Sequence, residues 1–385
     1  MRRLVSLLVA FVLLLAALPA ATAQQDATPA AMPPLPPLSA NASVFATGLD
    51  SPRGLEFGPD GALYVAEAGT GGSVSTVGQC EQVPPPVGPY TGGTTGRVSK
   101  IDATGQRSTV AEGLPSDQTS AALGSEPAGV AAVAWVDGKL FSLVAGGGCS
   151  HGNPASPNGV YAIGEDGKPK LVADLTAWVR AHPTKQPNPG DFEPDGSPYG
   201  MALAGGKLYV VEANHGAVDA VDAATGAVSR VVDISATHGH IVPASIAAGP
   251  DGTLYVGNLT TLPYLDGSAV VLRIAPDGTL STYAEGLTTV LGLAWVGNDL
   301  YALESTTGNL TQPPFVQPGS GKVVRVVPGG TPETVATGLN FPTGMTLGPD
   351  GALYVANNGF GFGPAAGKGE IVRVTLPAAT ATPAP

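Results

Sequence analysis

Five oxygen-bearing residues recur at one place in a repeating pattern: Glu67, Glu212, Asn258, Glu304 and Asn357. Each ends a short apolar run, clearest in Leu63-Tyr64-Val65-Ala66-Glu67 and Leu353-Tyr354-Val355-Ala356-Asn357. Carboxylates and amides converging on one point are the donor set for Ca2+, which takes roughly six to eight oxygens. The plainer expectation is that each accepts hydrogen bonds from its own turn or pairs locally, as Glu67 would with Arg53. The histidines form a second group, and all of them fall between the apolar runs. His151, His215, His238 and His240 are the candidates for a general base or a metal ligand, because imidazole changes charge near neutral pH. Only His238-Gly239-His240 is close in sequence, so solvated loop histidines are the competing reading. The two cysteines, Cys80 and Cys149, follow equivalent runs in adjacent repeats, and a disulfide between them is expected.

The elements that must position these groups repeat six times. Pro52-Arg53-Gly54-Leu55-Glu56-Phe57 leads through Gly58-Pro59-Asp60-Gly61 into Ala62-Leu63-Tyr64-Val65-Ala66-Glu67. Near the end, Pro342-Thr343-Gly344-Met345-Thr346-Leu347 leads through Gly348-Pro349-Asp350-Gly351 into the matching run. A third good copy surrounds Gly249-Pro250-Asp251-Gly252, and weaker copies centre on 129–144, 200–212 and 292–304. Gly-Pro-Asp-Gly is a tight hairpin: Pro presets φ, Asp suits the next position, and Gly takes positive φ. The flanking runs are short, β-branched or aromatic, and so are strands. A third and a fourth strand follow in each copy, giving roughly 45 to 75 residues per unit, the size of a propeller blade with insertions. The last copy stops after its third strand, while an extra strand, Ser43 to Thr47, precedes the first. The expected fold is therefore all-β: a six-bladed β-propeller over 43–376, closed by the N-terminal strand completing the last blade. Strand direction then puts every long insertion on one face, where a ligand site belongs.

Composition agrees. Glycine (54) and proline (37) are abundant, charged residues make up 12 %, and 43 % of the chain is hydrophobic, as in a turn-rich β fold. The net charge of −12, with no basic stripe, excludes nucleic acid and anionic membranes as expected partners. Arg2-Arg3, the apolar run Leu4 to Leu18 and Ala21-Thr22-Ala23 read as a signal peptide over 1–23, cleaved after Ala23. Residues 24–42 read as an Ala/Pro-rich linker and 377–385 as a flexible tail. The expected mature protein is exported, periplasmic or extracellular, free of the membrane and monomeric.

The order of motifs resembles the ScyD/ScyE family of exported bacterial propellers, named for scytonemin pigment clusters. The matching phrases are Gly48-Leu49 with Pro52-Arg53-Gly54-Leu55, Ala66-Glu67-Ala68-Gly69-Thr70-Gly71-Gly72, Ser197-Pro198-Tyr199-Gly200 and Val242-Pro243-Ala244-Ser245. Tyr255-Val256-Gly257-Asn258-Leu259-Thr260 and Tyr283-Ala284-Glu285-Gly286-Leu287 complete them. The resemblance covers about residues 44 to 375 and implies a six-bladed, NHL-like propeller, with little chemistry. No nucleophile elbow, phosphate loop or dinucleotide fingerprint stands in a supporting context. The expected function is binding or scaffolding in the cell envelope, of a small molecule or another envelope protein. The alternative is a Ca2+-dependent hydrolase or lactonase, in which the cation polarises a carbonyl and a loop histidine activates water. A quinoprotein dehydrogenase comes third, because arginine is scarce in the loops.

Overall fold

The Gly-Pro-Asp-Gly hairpins form as their residue types dictate. Gly61 and Gly351 take φ of 76° and 75°. Asp60 Oδ1 accepts from the Ala62 N–H, and Asp60 Oδ2 from the Tyr64 hydroxyl at 3.0 Å. The first glycine of the turn is equally constrained, since a Cβ on Gly58 would lie 2.5 Å from the Tyr64 ring. The same tyrosine then stands on the face of its sheet and meets an aromatic residue of the next blade edge to face. Tyr64 meets Trp135 at 4.9 Å, Tyr255 meets Trp295 at 5.0 Å, and Tyr354 meets Phe57 at 5.0 Å. One hairpin thus fixes both a turn and an interface between blades.

Six antiparallel sheets result in the computed structural model, which describes residues 34–120, 126–313, 315–360 and 367–377. Blade 1 has strands Pro52–Phe57, Leu63–Glu67, Thr91–Ile101 and Arg107–Gln118, plus a short fifth, Pro127–Ala128. Blade 2 has Val130–Val136, Lys139–Val144, Gly159–Ile163 and Pro169–Asp174. Blade 3 has Pro198–Ala204, Lys207–Glu212, Ala217–Asp222 and Val228–Asp233. Blade 4 has Pro243–Ala248, Leu254–Asn258, Ala269–Ile274 and Leu280–Leu287. Blade 5 has Val290–Val296, Asp299–Glu304, Gly321–Arg325 and Glu333–Leu339. Blade 6 takes Gly344–Leu347, Leu353–Asn357 and Gly369–Val374 from the C-terminal end, and its outer strand, Ala42–Leu49, from the N-terminal end. Val44 pairs with Val372 and Thr47 with Glu370, which closes the ring as the strand count requires.

The core lies between blades. Each neighbouring pair encloses one buried cluster, such as Tyr64, Val98, Val130 and Val133 between blades 1 and 2, and Leu49, Leu55, Ala356 and Ile371 between blades 6 and 1. Both faces of every sheet are covered, which is why the second strands carry consecutive apolar residues rather than an alternation. The leader-like residues 1–23 and the end of the tail lie outside the described residues. The last part of the linker reaches blade 5: Ser39 N–H donates to Thr337 O at 3.1 Å, and Asn41 reaches Val335 O and Thr375 O. Proline and polar residues that cannot build a core of their own can still lie against a finished sheet edge.

Candidate functional site

The innermost strands pack closely around the axis where they begin. A Cβ on Gly54 would lie 2.9 Å from Ala131 O, and one on Gly344 would lie 2.5 Å from Arg53 O. The glycines of Pro-Arg-Gly and Pro-Thr-Gly therefore let the backbones meet. Just above them Arg53, only 6 % exposed, spans the axis. Its guanidinium donates to the carbonyl of Pro127 at 2.6 Å and to that of Gly359, and lies 6.0 Å from the centre of the Tyr199 ring. Groups from blades 6, 1 and 3 thus meet at one arginine.

Glu67 was expected to be its partner, and the structure corrects this. Strand Pro52–Phe57 has an irregular register between Pro52 and Leu55, which turns Arg53 to the axis, while Glu67 points along its own sheet. Glu67 is fully buried and held by Arg97 at 2.8 Å, Arg107 at 3.0 Å, the Ser99 hydroxyl and the Asp50 N–H. Burial works to raise its carboxyl, but the bonds from Arg97, Asp50 and Ser99 outweigh it and leave the group below the usual carboxylate range.

The four other strand-end residues do the same kind of work. Glu212 accepts from Ser197 N–H, Glu304 from Thr288 N–H at 2.7 Å, and Asn357 from Asn340 N–H at 2.8 Å. Asn258 accepts from Val270 N–H at 2.7 Å and donates to Ile241 O at 2.9 Å. Glu304 also pairs with Lys322 at 3.0 Å, though burial still raises its carboxyl. Four of the five, Asn258 aside, accept from the segment that carries the chain into their own blade, and all five are at most 2 % exposed. The set does not fit one shared cation, because its oxygens are spent on separate turns. Among the described residues no three His, Cys, Asp or Glu side chains are placed to hold a metal ion. Blade 2 has Val144 at this position.

The loops above hold a second constellation. Cys80 and Cys149 are bonded, with Cα atoms 6.3 Å apart, and tie the first long loop to the second. Cys149 begins a single 3-10 turn, Cys149–His151, whose Ser150 donates twice to Asp195 Oδ2, at 2.6 Å and 2.7 Å. Arg180 holds the other oxygen of Asp195. His151 is thereby fixed with no exposure, Nδ1 on Asp117 and Nε2 3.1 Å from Gly196 O and 3.7 Å from Glu193 Oε2. Burial alone would lower the imidazole, but the charge of Asp117 and its hydrogen bond lift it to about 9. Glu193 is pushed up to about 8 by burial, against His151. Its Oε1 accepts from the Tyr90 hydroxyl at 3.1 Å, and its Oε2 is buried with no hydrogen-bond partner among the described residues.

Three of the four candidate histidines meet at Asp191–Glu193. His151 lies beside Glu193, the Nε2 of His215 is 2.8 Å from the Glu193 carbonyl, and the Nε2 of His240 is 3.2 Å from Asp191. His215 also stacks on Phe192, with ring centres 5.0 Å apart. His238 is exposed, and its ring bonds to its neighbour Thr237. His151 holds its proton too firmly for a base at neutral pH, and His215 is committed to a carbonyl. Sequence reasoning passed over Glu126, Asp117, Glu193, Tyr90, Tyr199 and Tyr264. Glu126, half-buried beside Arg53, is pushed up to about 7 by burial, with Arg53 opposing. Burial and the charges of Glu126 and Asp191 raise the Tyr264 hydroxyl. Burial raises that of Tyr199, with Arg53 lowering and Glu126 raising it. Ionisable residues in loops facing one axis were the available signal, but their spacing follows no period.

A family model described as the SMP-30/Gluconolactonase/LRE-like region matches residues 179–384, more than half of the chain. The chain belongs to that family. Among solved structures, a structural genomics protein of unknown function from Bacteroides thetaiotaomicron VPI-5482 is 11 % identical, with a TM-score of 0.53 over 88 % of this chain and 77 % of that one. A glucose dehydrogenase is 14 % identical, with a TM-score of 0.50 over 87 % and 99 %. A virginiamycin B lyase from Staphylococcus aureus is 13 % identical, with a TM-score of 0.46 over 87 % and 99 %. At these identities the likeness is one of fold. No curated protein matches the sequence. The SMP-30/gluconolactonase/LRE-like match covers blades 3 to 6, so blades 1 and 2, with Arg53, Glu126 and the disulfide, lie outside it.

Proposed function

We propose that this SMP-30/gluconolactonase/LRE-like propeller is an exported, non-catalytic binding protein that takes a small polyhydroxylated molecule on its long-loop face. The observation that carries this reading is Glu126. Its carboxyl stands half-buried at the axis between Arg53 and two tyrosines, and no hydrogen bond or ion pair to it is formed among the described residues. A half-desolvated acceptor without a donor is costly unless a ligand hydroxyl supplies one. The disulfide and the leader-like residues 1–23 support a place outside the cytoplasm. The narrower likeness to ScyD/ScyE propellers belongs to this reading and suits a scaffold with little chemistry of its own.

A second reading, hydrolysis of a sugar lactone, is favoured by the same group. A carboxyl poised near 7 can take a proton from water at neutral pH, and the family name points to such substrates. No Ca2+ enters it, since the strand-end residues do not converge. Titration calorimetry and lactone hydrolysis, run on the wild type and Glu126→Gln with a panel of sugar lactones and alditols, separate the two. Binding without turnover, weakened in Glu126→Gln, supports the binding protein. Turnover that rises through pH 7 and is lost in Glu126→Gln supports the lactonase. Binding that ignores Glu126→Gln refutes both.

A further inference from the structure

Below Arg53 the axis holds a cavity of about 470 Å3, within the range of pockets that take small organic ligands. Its walls are the innermost strands of all six blades. It is closed at the long-loop end, where Arg53, Thr343 and Ala244 are buried. At the tight-turn end Leu203 is 39 % exposed, and Ala248 and Leu347 are half-buried. The cavity is therefore a well that opens on the face opposite the long loops.

Most of its lining side chains are apolar, with Leu55, Met201, Ile246, Leu293 and Met345 among the larger, while the strand backbones make its surface as much polar as apolar. Glu56 is the one acidic residue among those that line it. Among the described residues no side chain forms a hydrogen bond or ion pair with Glu56. The backbone N–H of Trp135 is its polar neighbour, and burial pushes the group up to about 7. Each innermost strand is also a sheet edge, so its outward peptide groups face the well unpaired.

We propose that this well is a second ligand site, taking a small organic amine whose ammonium pairs with Glu56 while its apolar body lies against the strand walls. An ammonium restores the charge partner that burial denies the carboxylate, and charge-assisted hydrogen bonds of this kind are the strong ones. The net charge of −12 draws cations to the protein at long range. Tyr199 borders both this cavity and the long-loop site above Arg53, but the two proposals rest on different carboxyls, and neither depends on the other.

The probe is dansylcadaverine, which joins a fluorescent apolar group to a primary amine. Its N-acetyl derivative is the neutral control. The amine should bind the full-length protein with an increase in dansyl emission, at least about tenfold more tightly than the acetylated form. Glu56→Gln should remove that preference. Ala248→Trp, which narrows the opening, should weaken both probes while circular dichroism stays unchanged, and Glu126→Gln should leave amine binding as it was. Equal affinity for the two probes, or no binding of the amine to the folded wild type, overturns the proposal. So does amine binding that survives both Glu56→Gln and Ala248→Trp.

Discussion

If the strand-end residues cap separate crossovers, removing two of them must cost the sum of the single losses. Consider Glu67→Gln in blade 1 and Asn258→Ala in blade 4, on opposite sides of the ring. Glu67 is fully buried between Arg97 and Arg107, and Gln leaves Arg107 without a carboxylate and Arg97 with Asp50 alone. Breaking a buried pair costs about 3–5 kcal/mol, although both arginines keep some access to water, which favours the lower figure. Asn258→Ala leaves the Val270 N–H unpaired, at about 1–3 kcal/mol if it stays dry, while the Ile241 carbonyl keeps the Thr260 N–H. A fold of about 340 residues has an unfolding entropy near 0.7 kcal/mol/K, so a loss of 3 kcal/mol lowers Tm by about 4 °C. Urea unfolding of the wild type, the two single variants and the double variant, each with EDTA and with CaCl2, gives the cycle. The double loss should equal the sum within about 0.5 kcal/mol, and neither EDTA nor Ca2+ should shift any midpoint. Coupling well beyond that margin, together with wild-type stability that falls in EDTA, would show a shared ion and refute the capping argument.

Two further outcomes follow from the loop shell. Cys149→Ser opens a bridge with a sequence separation of 69, and the loss of chain restraint should lower stability by about 4 kcal/mol; reduction of the wild type should do the same, and a urea midpoint indifferent to reductant would contradict it. Glu193 keeps its proton in the folded protein to about pH 8, against 4.5 when free, so the unfolded chain binds fewer protons and stability falls as pH rises through that window. His151, raised from 6.5 to about 9, adds stability that is complete below pH 6.5 and lost on the way to pH 9. Both act in one direction, so urea midpoints should fall from pH 6 to pH 9, with a shallower fall in Glu193→Gln. A rise over that range would reverse the assignment.

The ring was legible because its signals repeat. Gly-Pro-Asp-Gly marks the same hairpin in three blades, and the unmatched strand Ser43 to Thr47 can be placed only beside the last sheet. The site was not legible, for a related reason. A strand pattern gives the order of residues but not which way a side chain turns where the register slips. Such a slip sends Arg53 to the axis and leaves Glu67 to Arg97 and Arg107. Five oxygens at equivalent positions looked like a converging set. In a propeller, equivalence by rotation also means separation, because each copy faces its own crossover. A ring of ligands would need side chains aimed at the axis, and the strand ends aim theirs along the sheet.

Groups that do converge come from loops with no counterpart in other blades. Asp117, Glu126, His151 and Glu193 belong to blades 1 to 3 and their connections, and the disulfide fastens the same sector. The tight-turn face has no such elaboration, yet the axial well opens there. The two faces therefore answer to different constraints. On one, insertions gather carboxyls, imidazoles and tyrosines over an arginine; on the other, the packing of six innermost strands leaves a cavity with one acidic residue in its lining. Because Arg53 lies between them, buried and bonded to the carbonyls of Pro127 and Gly359, a ligand on either face meets a closed floor rather than a passage through the ring.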